Sequence, residues 1–229
     1  GLGPGISLAG EGERGFLNKV FKGKDGEAKY VLFIPHAYDA AKPAPCILFL
    51  HGSGESGTDG LKPAKVGIGP AIKKREKDFP FIVVMPQSQK FTWKAGSPDA
   101  DRALAILEEV QKNYKVDDRR LYLSGLSMGG IGTWSLAAAQ PDRWAAIVPI
   151  CGYGIPSQAD KIKDLPCWAF IGEKDNAKLL VGRRGMIAAL KKAGGAPRYD
   201  EYPGVGHNSW DRAYGTEELY SWLLKQTRK

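Results

Sequence analysis

A chain of 229 residues fits one hydrophobic core, near the upper end of what a single core supports. Its hydrophobic share of 43% is that of a globular protein, and no apolar run approaches the length of a membrane-spanning helix. The net charge of +8 is spread over the chain apart from Lys73-Lys74-Arg75-Glu76-Lys77, and it forms no basic–aromatic array, so no nucleic-acid partner is expected.

Gly1–Arg14 is rich in glycine and polar residues and reads as a loosely ordered lead-in. The chain starts at Gly1 rather than Met; a processed chain would favour a secreted or periplasmic location. Phe16–Phe21 and Lys29–Ile34 read as two strands joined by a turn at 22–26, an antiparallel hairpin at one sheet edge. Cys46–Leu50 is a continuous apolar run, as expected of a strand buried on both faces. The glycine-rich stretch 51–57 follows, a loop whose backbone N–H groups can converge on a small anion.

Lys65–Lys77 reads as a helix, Phe81–Met85 as a buried strand and 86–98 as a loop carrying Trp93. Asp99–Tyr114 has apolar residues at helical spacing, with Asp99 as the expected N-cap. Leu121–Leu123 is a strand, and Ile131–Ala139 a helix. Ala145–Ile150 and Cys167–Ile171 are further strands, Leu179–Ala193 a helix closed by Gly194-Gly195, and Arg198–Tyr202 a last strand. Thr216–Lys225 is a terminal helix with Thr216 as N-cap. This alternation implies one α/β domain over 1–229, with a mostly parallel sheet covered by helices on both faces. In such sheets ligands bind beyond the carboxyl ends of the strands, where the loops 51–57, 172–176 and 204–208 can meet Ser127.

The chemistry is concentrated in Gly125-Leu126-Ser127-Met128-Gly129, a G-x-S-x-G between a strand and a helix. Turning directly from strand into helix strains the serine and lifts its Oγ out of the sheet, and glycines on either side avoid a collision across the turn. A serine hydroxyl needs a base to take its proton, and the base needs a carboxylate to orient it. His207 is the one histidine after Ser127, in a Gly-Val-Gly-His loop; His36 and His51 precede it. Asp175, just past a strand in Gly-Glu-Lys-Asp-Asn, is the expected acid; Glu173 is next, and Asp211 could support His207 from nearby. The oxyanion would be held by the backbone N–H groups of Met128 and Ser53. Trp93, Tyr153 and Trp210 lie on loops near this edge as candidate substrate contacts, whereas Trp134 belongs to the core.

No cofactor is expected: the glycine-rich loop lacks the P-loop lysine, and Cys46, Cys151 and Cys167 have neither metal-ligand nor CxxC spacing.

From residue 46 onward the chain resembles α/β-hydrolase-fold serine esterases, on LHGSGE, GLSMGG, IGEKD and YPGVGHNSW. It is similar to the compact carboxylesterase/phospholipase and the feruloyl-esterase or polyhydroxybutyrate-depolymerase-like branches. The resemblance implies a Ser-His-Asp triad working through an acyl-enzyme, with the third residue of the His-Gly-x loop, Ser53, as an oxyanion donor. Dienelactone hydrolases of similar size carry cysteine where this chain has Ser127. The stretch between Ile150 and Cys167 is too short for a substantial helical lid. An open cleft is therefore expected, suited to soluble esters or to acyl groups on bulky polymers, in a monomer. The competing expectations are a serine peptidase of prolyl-oligopeptidase type and a non-catalytic binding module on the same fold.

Overall fold

A computed structural model describes residues 12–229, so most of the lead-in lies outside the described residues. Its last residues are tied down. Glu13 accepts from Lys19 Nζ at 2.7 Å and from the Tyr114 hydroxyl, and Arg14 donates to the Tyr38 carbonyl at 2.7 Å.

Among the described residues, eight strands form one sheet: β1 (Gly15–Gly23), β2 (Gly26–Ile34), β3 (Ala44–Leu50), β4 (Ile82–Pro86), β5 (Val116–Leu126), β6 (Ala146–Ile150), β7 (Trp168–Gly172) and β8 (Arg198–Tyr202). Their order is β1-β2-β4-β3-β5-β6-β7-β8. The hairpin β1–β2 joins β4 antiparallel at one edge, and β4 through β8 run parallel. The helices are α1 (Ile68–Lys73), α2 (Pro98–Asn113), α3 (Met128–Ala139), α4 (Ala159–Ile162), α5 (Ala177–Lys192), α6 (Trp210–Tyr214) and α7 (Glu217–Leu224).

Why the central strands are apolar throughout follows from their burial. Cys46, Leu48 and Leu50 of β3 pack into a cluster with residues of α2, α3 and α5. Ile47 and Phe49 point the other way, into a cluster with α1, α6 and α7. With helices on both faces, both sets of alternating side chains leave water, and the period-two pattern vanishes.

The winding sense reverses at β3. From β3 the chain crosses to β4 on one side, then returns to β5 on the other. The crevice beyond the carboxyl ends of β3 and β5 is therefore the topological switch point, where a doubly wound sheet opens a binding site. The glycine-rich loop and Ser127 leave those two strands.

Two expectations need correction. The helix expected over Lys65–Lys77 shrinks to a 3₁₀ turn at Lys62–Lys65 and the short α1. Gly67, at φ 60, separates them, a backbone state that glycine enters without strain. Asp99 does not cap α2. Ser97 does, its Oγ accepting the Ala100 N–H at 3.2 Å, with Pro98 as first helical residue. Thr216 is the N-cap residue of α7, as expected, although its hydroxyl donates to the Arg212 carbonyl at 2.9 Å and makes no capping bond. The segment after β6 holds a 3₁₀ turn at Pro156–Gln158 and the single turn α4.

Candidate active site

Ser127 sits between β5 and α3 with φ 54 and ψ −116, a conformation that costs a non-glycine residue about 1–3 kcal/mol. The turn is tight because helix and strands nearly touch. A Cβ on Gly125 would lie 2.3 Å from the Gly129 carbonyl oxygen, and one on Gly129 would lie 1.9 Å from that of Leu50. From beneath, the Ser127 N–H is held by the Ile150 carbonyl at 2.9 Å and by Cys151 Sγ at 3.2 Å.

The expected partners arrive from loops far away in sequence. Ser127 Oγ lies 2.9 Å from His207 Nε2. His207 Nδ1 lies 2.9 and 3.0 Å from the two carboxylate oxygens of Asp175. Asp175 follows β7, its side chain fully buried, and one oxygen also accepts the Asn176 N–H at 2.7 Å. The His207 side chain is 43% exposed, so a reactant can reach it from solvent. The alternative acids are occupied elsewhere. Glu173 accepts the Gly204 N–H at 2.8 Å, and Asp211 bonds Asn208 at 2.8 Å.

Ser53 opens a 3₁₀ turn after β3, and Met128 opens α3. The first residue of a helix has no intrahelical acceptor, so both N–H groups remain available, and the α3 dipole adds positive potential there.

Of the three aromatics, two line the site and one does not. Tyr153 shares a cavity wall with Asp175, His207 and Leu179, and this cavity adjoins an apolar groove lined by Ile155, Pro156 and Val181. Ile155 and Val181 are 54% and 68% exposed, and Lys174 and Lys178 stand at the rim. Trp210 meets the His207 ring edge-on at 5.5 Å. Trp93, in contrast, is buried. Its Nε1–H donates to the His51 carbonyl at 3.0 Å, and its ring packs against His51 at 5.1 Å. A tryptophan buried with its N–H satisfied packs as core.

Sequence reasoning missed the supports of the loop carrying Ser53. His51 is fully buried; Nδ1–H donates to the Gly52 carbonyl at 2.6 Å, and Nε2 accepts the Ser88 N–H at 2.9 Å. Asp99 is buried and accepts from Ser88 Oγ at 2.6 Å and from the Gln89 and Lys90 N–H groups at 3.0 and 2.7 Å. These bonds wind the 86–98 loop onto the loop carrying Ser53. Glu55 turns its carboxyl back towards Gly52; burial raises its pKa against the pull of the Gly52 N–H and its own. Patterning could not show these roles, because each depends on a partner across the fold.

His51 makes acid a liability. Burial lowers its pKa to about 4 from 6.5, and protonating Nε2 would break the bond from Ser88. Between those values the unfolded chain binds a proton that the folded chain refuses. His51 thus contributes stability that is fully present above about pH 6.5 and is lost as pH falls towards about 4, on the order of 3 kcal/mol. Urea midpoints measured across this range are expected to fall more steeply for the parent than for His51→Gln. Equal slopes would remove His51 as the cause.

Strand order, the strained serine between strand and helix, and the crevice at the switch point define an α/β-hydrolase fold. The chain belongs to the Esterase family, whose model matches residues 24–194. Among its relatives, the bifunctional acetylxylan esterase/xylanase XynS20E of Neocallimastix patriciarum is 29% identical over 99 residues, 42% of this chain and 15% of that protein. The protein named "Probable feruloyl esterase C" of Aspergillus niger is 26% identical over 210 residues, 85% of this chain and 73% of that one. The solved structure of a thermostable esterase superimposes with a TM-score of 0.85 at 30% identity, over 93% of this chain and 63% of that chain. The chain thus spans only part of these longer proteins.

Proposed function

We propose that this protein is a serine carboxylester hydrolase, folded as one domain, that works through an acyl-enzyme with Ser127, His207 and Asp175. The observation that carries this reading is the unbroken hydrogen-bond chain from Ser127 Oγ through His207 to buried Asp175. His207 Nε2 takes the serine proton as Oγ attacks the ester carbonyl. Asp175 holds the proton on Nδ1 and stabilises the imidazolium that forms. The N–H groups of Ser53 and Met128 receive the oxyanion. His207 then returns its proton to the departing alcohol, and water, activated by the same histidine, releases the acid.

Esterase family membership and feruloyl and acetylxylan esterase relatives support an ester substrate. The open groove beside Tyr153 fits esters of soluble molecules or of bulky polymers, with Tyr153 and Trp210 as contacts.

The test is labelling with a fluorophosphonate probe, followed by peptide mass spectrometry. The adduct is expected on Ser127, with ester turnover far exceeding amide turnover on the same acyl group. Faster amide cleavage would favour a peptidase, and no adduct would favour a binding module. Acetylated and feruloylated xylan, with a series of acyl chain lengths, would then define the substrate. EDTA should leave ester turnover unchanged, because no metal-bound water is invoked.

A further inference from the structure

We propose that Arg183 is a positioning residue for this reaction: it locks the strand end beneath Ser127 to the strand that delivers Asp175. The proposal rests on the catalytic reading above.

Arg183 lies on α5 and is fully buried. Burial lowers its pKa to about 10, which leaves it charged at neutral pH. Among the described residues its hydrogen bonds go to carbonyls and none to a carboxylate. Nε donates to Gly152 at 2.6 Å, and Nη1 donates to Pro149 at 3.0 Å and Phe170 at 3.1 Å. A buried guanidinium without a carboxylate partner is costly to solvate, so its position calls for a reason.

The three carbonyls supply one. Pro149 and Gly152 bracket Ile150 and Cys151, the two residues that hold the Ser127 N–H. Cys151 itself is strained at φ 41, and its N–H donates to Phe170 at 2.9 Å, the same carbonyl that Arg183 reaches. Phe170 lies on β7, which ends at Gly172 just before Asp175.

The seam that Arg183 spans is also the thinnest in the parallel sheet. Within their named ranges β6 and β7 pair at Ile150 and Phe170 alone, with one further bridge from Ile147 to Cys167. The planar guanidinium bridges β6 and β7 where ladder bonds are few. Nucleophile and acid lie on opposite sides of that seam.

Two substitutions test the clamp. Arg183→Lys keeps the charge but cannot span three carbonyls. It is expected to lower kcat per probe-titrated site by about 10²-fold, with KM unmoved. Arg183→Met removes every one of these hydrogen bonds, so kcat per titrated site should fall at least as far. If Arg183→Met does not fold, Arg183→Gln, which is too short to reach all three carbonyls, should show the same fall. Parental kcat per titrated site in Arg183→Lys would overturn the proposal, even if its thermal stability falls. Failure of the catalytic reading would appear separately, as an unlabelled parent.

Discussion

Ser127→Ala is expected to lower kcat by about 10⁶-fold while the chain folds as before. The substitution removes the oxygen proposed to attack and little else. The elbow is shaped by close contacts at Gly125 and Gly129 and by the bonds from the residue 127 N–H, none of which needs the hydroxyl. Alanine meets the same backbone strain at φ 54 as serine does, so the folded state should be retained. Ester turnover by the purified variant, with circular dichroism and thermal unfolding alongside, makes the measurement. Turnover equal to the parent's would remove Ser127 as nucleophile.

Asp175→Asn is expected to cost about 10⁴-fold in kcat. Both carboxylate oxygens face His207 Nδ1, at 2.9 and 3.0 Å. In the variant an amide nitrogen takes one of those places. An N–H there favours the tautomer with the proton on Nε2, which then points at Ser127 Oγ and cannot accept from it. The negative charge that stabilises the imidazolium is lost as well. Glu173→Gln serves as the control, since Glu173 is bonded to the Gly204 N–H away from the triad. A larger loss from Glu173→Gln than from Asp175→Asn would mean that the acid has been misassigned.

By itself the sequence determined the local and periodic features. Apolar runs such as Cys46–Leu50 marked the buried strands, because helices on both faces leave no polar side. The G-x-S-x-G motif marked the elbow, because backbone contacts as close as those at Gly125 and Gly129 admit no Cβ. Chain order pointed to His207 and Asp175, since loops after successive parallel strands emerge on one edge. Tertiary structure decided what depends on partners remote in sequence. Trp93 looked like a pocket residue on a loop, but the His51 carbonyl across the fold satisfies its indole and draws it inside. Asp99 looked like a helix cap, yet the loop at 88–90 wraps around its carboxylate. Nothing in the sequence separates Arg183 from the other cations of its helix. Only the sparse pairing of β6 with β7 gives it three carbonyls to hold, since a polar side chain is buried where the fold brings it partners.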